Sequence, residues 1–174
     1  MAADTGFSEY VFVHELGHHF AALADEYYTS AAVYEPTADR PEPWEPNVTA
    51  LHDPRKLKWG LLVDKGTALP TEWPKEEFEA FQLENQARRA ELRAQNRPET
   101  EMNKLFRDEQ DFVSELFAQY PATHSLVGAF EGANYAANGY FRPEMNCTMF
   151  TRHETFCRVC SDDLEEMIDL YTAH

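Results

Sequence analysis

His14-Glu15-Leu16-Gly17-His18-His19-Phe20-Ala21-Ala22-Leu23-Ala24-Asp25-Glu26-Tyr27 is the stretch on which the reading of this chain turns. Its first five residues have the form H-E-x-x-H. On a helix, His14 and His18 stand one turn apart and project from the same face. Two imidazoles so placed can bind one Zn2+. Glu15 beside them is then the general base for a metal-activated water attacking a peptide carbonyl. The flanking residues agree with a helix: Phe7, Tyr10, Val11, His14 and His18 recur at helical spacing. Thr5 is a suitable N-cap, so a helix is expected from residue 5 to about 24.

Catalytic zinc typically takes three protein ligands. Asp25 and Glu26 are the near candidates for the third, Asp25 the stronger. Seven residues beyond His18, Asp25 would face nearly the same way on an unbroken helix, but roughly 10 Å further along the axis. A carboxylate there cannot reach the metal. Asp25 therefore requires the helix to stop soon after His18 and the chain to turn back. Glycine is the residue that accepts such a turn freely. Here the sequence has Ala21-Ala22-Leu23-Ala24, which favours helix. His19, about 100° around the helix from His18, is expected to support the site and not to ligate.

The remainder of the chain bounds the problem. With 174 residues and 43% apolar composition, one domain with a buried core is expected, and a disordered chain is excluded. The net charge of −16 argues against nucleic acid or an anionic membrane as partner. No apolar run approaches the ~20 residues of a membrane span. Met1 to Tyr10 has no basic segment leading into an apolar one, so no signal peptide is expected in this chain. Seven prolines between residues 35 and 74 predict a loop-rich layer, with one short strand at Leu61-Leu62-Val63 and Trp44, Trp59 and Trp73 to pack. Two helices are expected at 75–95 and 99–120. The second carries an apolar stripe of Met102, Leu105, Phe106, Phe112, Val113, Leu116 and Phe117. Residues 128–160 read as irregular. A last helix is expected after Ser161 as N-cap, burying Leu164, Met167, Ile168 and Tyr171.

The string from His14 to Tyr27 resembles the signature of the IgA peptidase (igzincin) family, metallopeptidase family sixty-four. Further matches follow in order: Glu45-Pro46-Asn47-Val48-Thr49, Leu57-Lys58-Trp59, Pro70-Thr71, Phe130-Glu131-Gly132-Ala133, Arg142-Pro143 with Cys147 and Met149, and Phe156-Cys157-x-x-Cys160. The resemblance implies a metzincin-like zinc endopeptidase. It places zinc on His14, His18 and Asp25, makes Glu15 catalytic, and assigns Met149 to a methionine turn under the metal, with Met145 the weaker candidate. Three features differ from the pattern it implies. There is little room for a sheet upstream of the helix, residues 75–124 look inserted, and alanine replaces the glycine near position 22.

Cys147, Cys157 and Cys160 leave an odd thiol in any pairing. A disulfide from Cys147 to Cys157 or Cys160 is the first expectation, since it would tie the loop at Met149 to the last helix. A structural zinc on the three with His153 has suitable ligand types. Tyr135 or Tyr140 could donate to the reaction's oxyanion, although packing is the more ordinary role for either.

The resulting expectation is an α-rich α+β, metzincin-like catalytic domain lacking most of its upstream sheet. It has an active-site helix, a loop-rich C-terminal half and an inserted helical hairpin. Residues 1–174 form one N-terminally truncated metallopeptidase domain, with 75–124 a helical insertion. Its function is zinc-dependent hydrolysis of a protein or peptide substrate. The alternative is an inactive or truncated protease-like zinc-binding protein acting in binding or structure. Relatives are commonly secreted or periplasmic, and the sequence selects no compartment and no oligomeric state.

Overall fold

The computed structural model describes residues 6–29 and 40–173. Among these, the chain is helix-rich α+β. Helix α1 spans Ser8–Ala21, α2 Lys75–Ala94, α3 Glu99–Ala118 and α4 Arg158–Thr172, with a short 3-10 turn at Pro54–Lys56. Strands β1 (Phe130–Ala133) and β2 (Ala136–Arg142) form a two-stranded antiparallel sheet. No helix is long and apolar enough to cross a membrane among the described residues.

Helix α1 stops three residues after His18, short of the expected end near 24. Ala22 sits in the left-handed region, φ 54° and ψ 33°, and Leu23 N–H donates to the Gly17 carbonyl at 3.2 Å. An L-residue in this conformation is disfavoured because Cβ crowds the following carbonyl, so tertiary contacts must hold it. The proposed Thr5 cap lies outside the described residues, and Phe7 at the N-cap makes no side-chain capping bond.

The segment leaving Ala22 is held by contacts on several sides. Asn47, fully buried, acts as a backbone mimic: its Oδ1 accepts from Ala24 N–H at 2.8 Å and its Nδ2 donates to the Ala24 carbonyl at 3.0 Å. Glu26 N–H donates to the Met149 carbonyl at 2.8 Å. The β1–β2 turn docks on the same segment, Asn134 N–H to Asp25 carbonyl and Tyr135 N–H to Tyr27 carbonyl, both 3.0 Å.

The loop layer is joined to the sheet by bridges from Thr49 to Phe141 and from Thr71 to Phe130. Trp59 Nε1 donates to the Gly128 carbonyl and Trp73 Nε1 to that of Glu131, whereas Trp44 is exposed. Beneath them lies Arg142, with no exposed surface. Its guanidinium stands 3.7 Å from the Phe150 ring centroid and 4.1 Å from that of Trp73. It donates to the Gly132 and Met145 carbonyls. Such a cation is tolerated because π faces and carbonyl oxygens replace water. Helices α2 and α3 form a hairpin whose apolar stripe closes the core: Phe78 packs against Phe117 and Phe150 with ring centroids 6.1 and 5.0 Å apart.

Three local expectations are corrected. Leu61-Leu62-Val63 is a turn with Leu61 fully exposed, so the apolar triplet marks no strand. Residues 128–160 contain the only sheet among the described residues. Its two-residue turn, Asn134-Tyr135, has φ 52° and 63°; Asn favours that geometry, but Tyr in the place usual for Gly hides the signal. Finally, α4 begins at Arg158, capped by the Cys157 sulfur accepting from Cys160 N–H, not by Ser161. Leu164 and Met167 are half-buried, while Ile168 and Tyr171 stand exposed.

Glycine relieves left-handed strain that alanine carries. Ala22→Gly should therefore raise stability by about 1 kcal/mol, seen as a higher urea midpoint at unchanged m-value. A fall in the midpoint would show that Ala22 is not strained.

Candidate metal centre

The turn at Ala22 brings Asp25 back beside the two histidines. Asp25 Oδ1 lies 2.9 Å from His14 Nε2 and 3.2 Å from His18 Nε2, and the two Nε2 atoms are 3.1 Å apart. His14, His18 and Asp25 thus converge as a group able to hold one metal ion. Both rings are oriented through the opposite nitrogen. His14 Nδ1 lies 3.0 Å from the Thr148 carbonyl and His18 Nδ1 2.6 Å from that of Leu23. A carbonyl oxygen only accepts, so each Nδ1 donates to it, and this fixes each ring with its Nε2 turned inward toward Asp25.

The electrostatics follow from this crowding. Burial would raise the Asp25 carboxyl, but hydrogen bonds from His14, His18 and the Tyr135 hydroxyl outweigh it and hold the group well below the usual carboxylate range. The hydrogen bond to Asp25 lifts His18 above its ordinary 6.5 against the opposing effect of burial. Tyr135 donates to Asp25 Oδ2, and its hydroxyl is 3.4 Å from that of Tyr27. Burial, helped by the Asp25 carboxylate, raises the Tyr135 hydroxyl pKa, keeping the proton on the donor. Tyr140 instead donates to the Pro41 carbonyl.

Glu15 is half-buried and shares a cleft of about 410 Å3 with His14 and Tyr27. The far wall comes from the helical hairpin: Gln82, Gln86 and Arg89 of α2 and Glu109 of α3. Arg152 pairs with Glu109 and lies over the Phe106 ring at 3.7 Å, joining the hairpin to the loop after Met149. Met149 has no exposed surface and packs directly against α1. A Cβ on Gly17 would stand 3.0 Å from its sulfur and 3.2 Å from Leu23 Cδ1, so only glycine fits without displacement. Met145 is also fully buried, with its carbonyl on Arg142. His19 is exposed, its Nδ1 on the Glu15 carbonyl of its own helix.

A profile of IgA peptidase M64 matches residues 1–168 of the 174. The chain belongs to the IgA peptidase M64 family. A search of curated proteins finds no match. Membership in M64 supports a metallopeptidase acting on a protein or peptide substrate. The segments by which the sequence resembles M64 bond to the return after α1, to one another and to the sheet region. Asn47 clamps Ala24, Lys58 Nζ donates to the Glu45 and Val48 carbonyls, and Thr71 and Thr49 flank the sheet.

The remaining predicted residues gather elsewhere. Cys147, Cys157 and Cys160 are buried free thiols; the Cys147 and Cys160 sulfurs are 3.8 Å apart, too far for a disulfide bond of about 2.05 Å. Glu26 turns away from the histidines toward these sulfurs. His153 does not join them, its Nε2 pairing with Thr155. The residues that sequence reasoning missed act mainly through backbone: the Leu23 and Thr148 carbonyls that orient the rings, and Tyr10, whose hydroxyl donates to that same Thr148 carbonyl. Carbonyls carry no residue signature, so the sequence held no signal for them.

In the metal-free protein, the raised His18 pKa makes the His18–Asp25 contact a pH-dependent source of stability. It is fully present below the unfolded histidine value of about 6.5 and is lost as pH rises through the higher folded value. NMR titration in chelator should place the His18 ring above 6.5, with Asp25→Asn returning it toward that value. An unchanged titration in the variant would remove Asp25 as the cause.

Proposed function

We propose that this chain is a zinc-dependent metalloendopeptidase of metzincin-like architecture, with zinc on His14, His18 and Asp25 and Glu15 as general base. The observation carrying this reading is the left-handed turn at Ala22, which sets the Asp25 carboxylate against both Nε2 atoms. The ligand types suit zinc, and about 2.0–2.1 Å bonds at tetrahedral angles separate ligand atoms by about 3.3 Å, close to the 2.9 to 3.2 Å seen here. With each Nδ1 committed to a carbonyl, each Nε2 is the nitrogen left to bind a cation beside the Asp25 carboxylate.

Bound zinc supplies Lewis acidity, making a water nucleophilic near neutral pH and polarising the scissile carbonyl. The protein does the rest. Glu15, at the cleft edge, takes the proton from the attacking water and passes it to the leaving amine. The carbonyls of Thr148 and Leu23 keep both imidazoles in the ligating tautomer. Tyr135 fixes the Asp25 carboxylate through Oδ2, leaving Oδ1 toward the histidines. Met149, pressed beneath Gly17, serves as the methionine turn that sets the floor of the site. In this reading residues 1–174 act as one peptidase domain, and 75–124 is a helical insertion whose inner face borders the substrate cleft.

Glu15→Gln should lower the rate constant for peptide hydrolysis on the order of 10³-fold while keeping zinc. His18→Ala should lose the zinc. Kinetics on a mixed peptide library together with elemental analysis check both. Wild-type protein with one zinc in this site that cleaves no peptide would favour the binding or structural role instead.

A further inference from the structure

The second cluster of ligating side chains lies behind the first. Glu26, Cys147, Cys157 and Cys160 are all buried, and one ligand atom from each falls within 4.8 Å of every other. We propose that these four residues form a second, structural metal site for Zn2+ or a similar thiophilic divalent cation, closed to solvent and distinct from the peptidase centre.

Geometry favours it. Zinc–sulfur bonds of about 2.3 Å at tetrahedral angles put neighbouring sulfurs about 3.8 Å apart, and a carboxylate oxygen about 3.5 Å from a sulfur. The Cys147–Cys160 sulfur separation is 3.8 Å, and Glu26 Oε1 lies 3.4 Å from Cys160 Sγ. Cys157 and Cys160 have the C-x-x-C spacing common in structural zinc sites. The sulfurs are also solvated by backbone donors in the way a thiolate requires. Cys147 Sγ accepts from Met149 N–H at 3.4 Å and Cys157 N–H at 3.2 Å, and Cys157 Sγ accepts from Cys160 N–H at 3.5 Å.

Glu26 supplies an independent argument. It has no exposed surface, and Asn47 Nδ2 orients its Oε1 at 3.0 Å, yet Oε2 has no hydrogen-bond partner. A buried carboxylate oxygen left alone is costly. A cation on the carboxylate removes that cost, and the Arg142 guanidinium nearby offsets part of the remaining negative charge. The site would join the return after α1 to two neighbouring stretches more than a hundred residues further along, the loop at Met149 and the start of α4. Since Asp25 and Glu26 are adjacent, locking Glu26 also fixes where Asp25 stands. Cys147 is tied to Met149 in the same way, through that residue's N–H.

The test isolates this site from the peptidase centre. The full chain carrying His14→Ala and His18→Ala is freed of metal, reduced and titrated with Co2+. The expected result is one equivalent bound, with an intense sulfur-to-cobalt charge-transfer band in the near ultraviolet and tetrahedral bands in the visible. Adding Glu26→Gln, which preserves volume, should weaken Co2+ affinity at least about tenfold while the sulfur band survives at saturation. Cys160→Ser in that background should diminish the band. Should the serine variant not fold, elemental analysis of wild type stands in its place: two zinc per chain, falling to one with His14→Ala and His18→Ala. A folded, reduced double-histidine variant with no sulfur band overturns the proposal. So does a wild type whose single zinc vanishes in that variant, or native protein carrying a disulfide among the three cysteines.

Discussion

The structure depends on the end of one helix. His14 and His18 need a regular helix to face the same way, and Asp25 needs that helix to be gone almost at once. Both conditions are met by a single residue in the left-handed region, Ala22, with Leu23 N–H on the Gly17 carbonyl. Alanine has no intrinsic liking for this conformation, so the turn must be imposed by neighbours. Asn47 clamps Ala24 by both of its amide groups, and the Met149 carbonyl and the Asn134-Tyr135 turn fix the residues that follow. The centre is thus organised by contacts from three other parts of the chain.

Those contacts explain why the rest of the fold is arranged as it is. The loop-rich layer at 40–74 has little regular structure of its own, yet it supplies Asn47, Trp59, Thr71 and Trp73, each bonded to backbone of the segment after α1, of the sheet or of the residues leading into the sheet. Arg142, with no exposed surface, donates to the Gly132 and Met145 carbonyls. The α2–α3 hairpin covers the aromatic cluster with Phe78 and Phe117 and turns polar side chains toward the cleft. One element therefore closes the core and shapes the approach to Glu15.

Adjacent residues divide two tasks. Asp25 faces the histidines, and Glu26 faces the cysteines. With a cation in each place, the segment between would be fixed from both sides, and the methionine loop would be tied to both. Most of the charged side chains of α2 and α3 lie outside this local chemistry, at the surface.

The sequence by itself determined the helix that sets His14 and His18 on one face. H-E-x-x-H is a local code: its geometry follows from 3.6 residues per turn and needs no information from elsewhere. The ordered string through Phe156-Cys157-x-x-Cys160 determined the family for the same reason, because residue identities alone carry it. The helical hairpin and the stripe of Leu105, Val113 and Phe117 were legible as periodicity. Tertiary structure alone decided where α1 stops, since local propensity at Ala21-Ala22-Leu23-Ala24 points the other way and long-range hydrogen bonds overrule it. It also decided the partner of the cysteines. His153 is near them in sequence, but Glu26, more than a hundred residues away, is the carboxylate that folding brings to them; proximity in space is set by packing, which spacing along the chain does not encode.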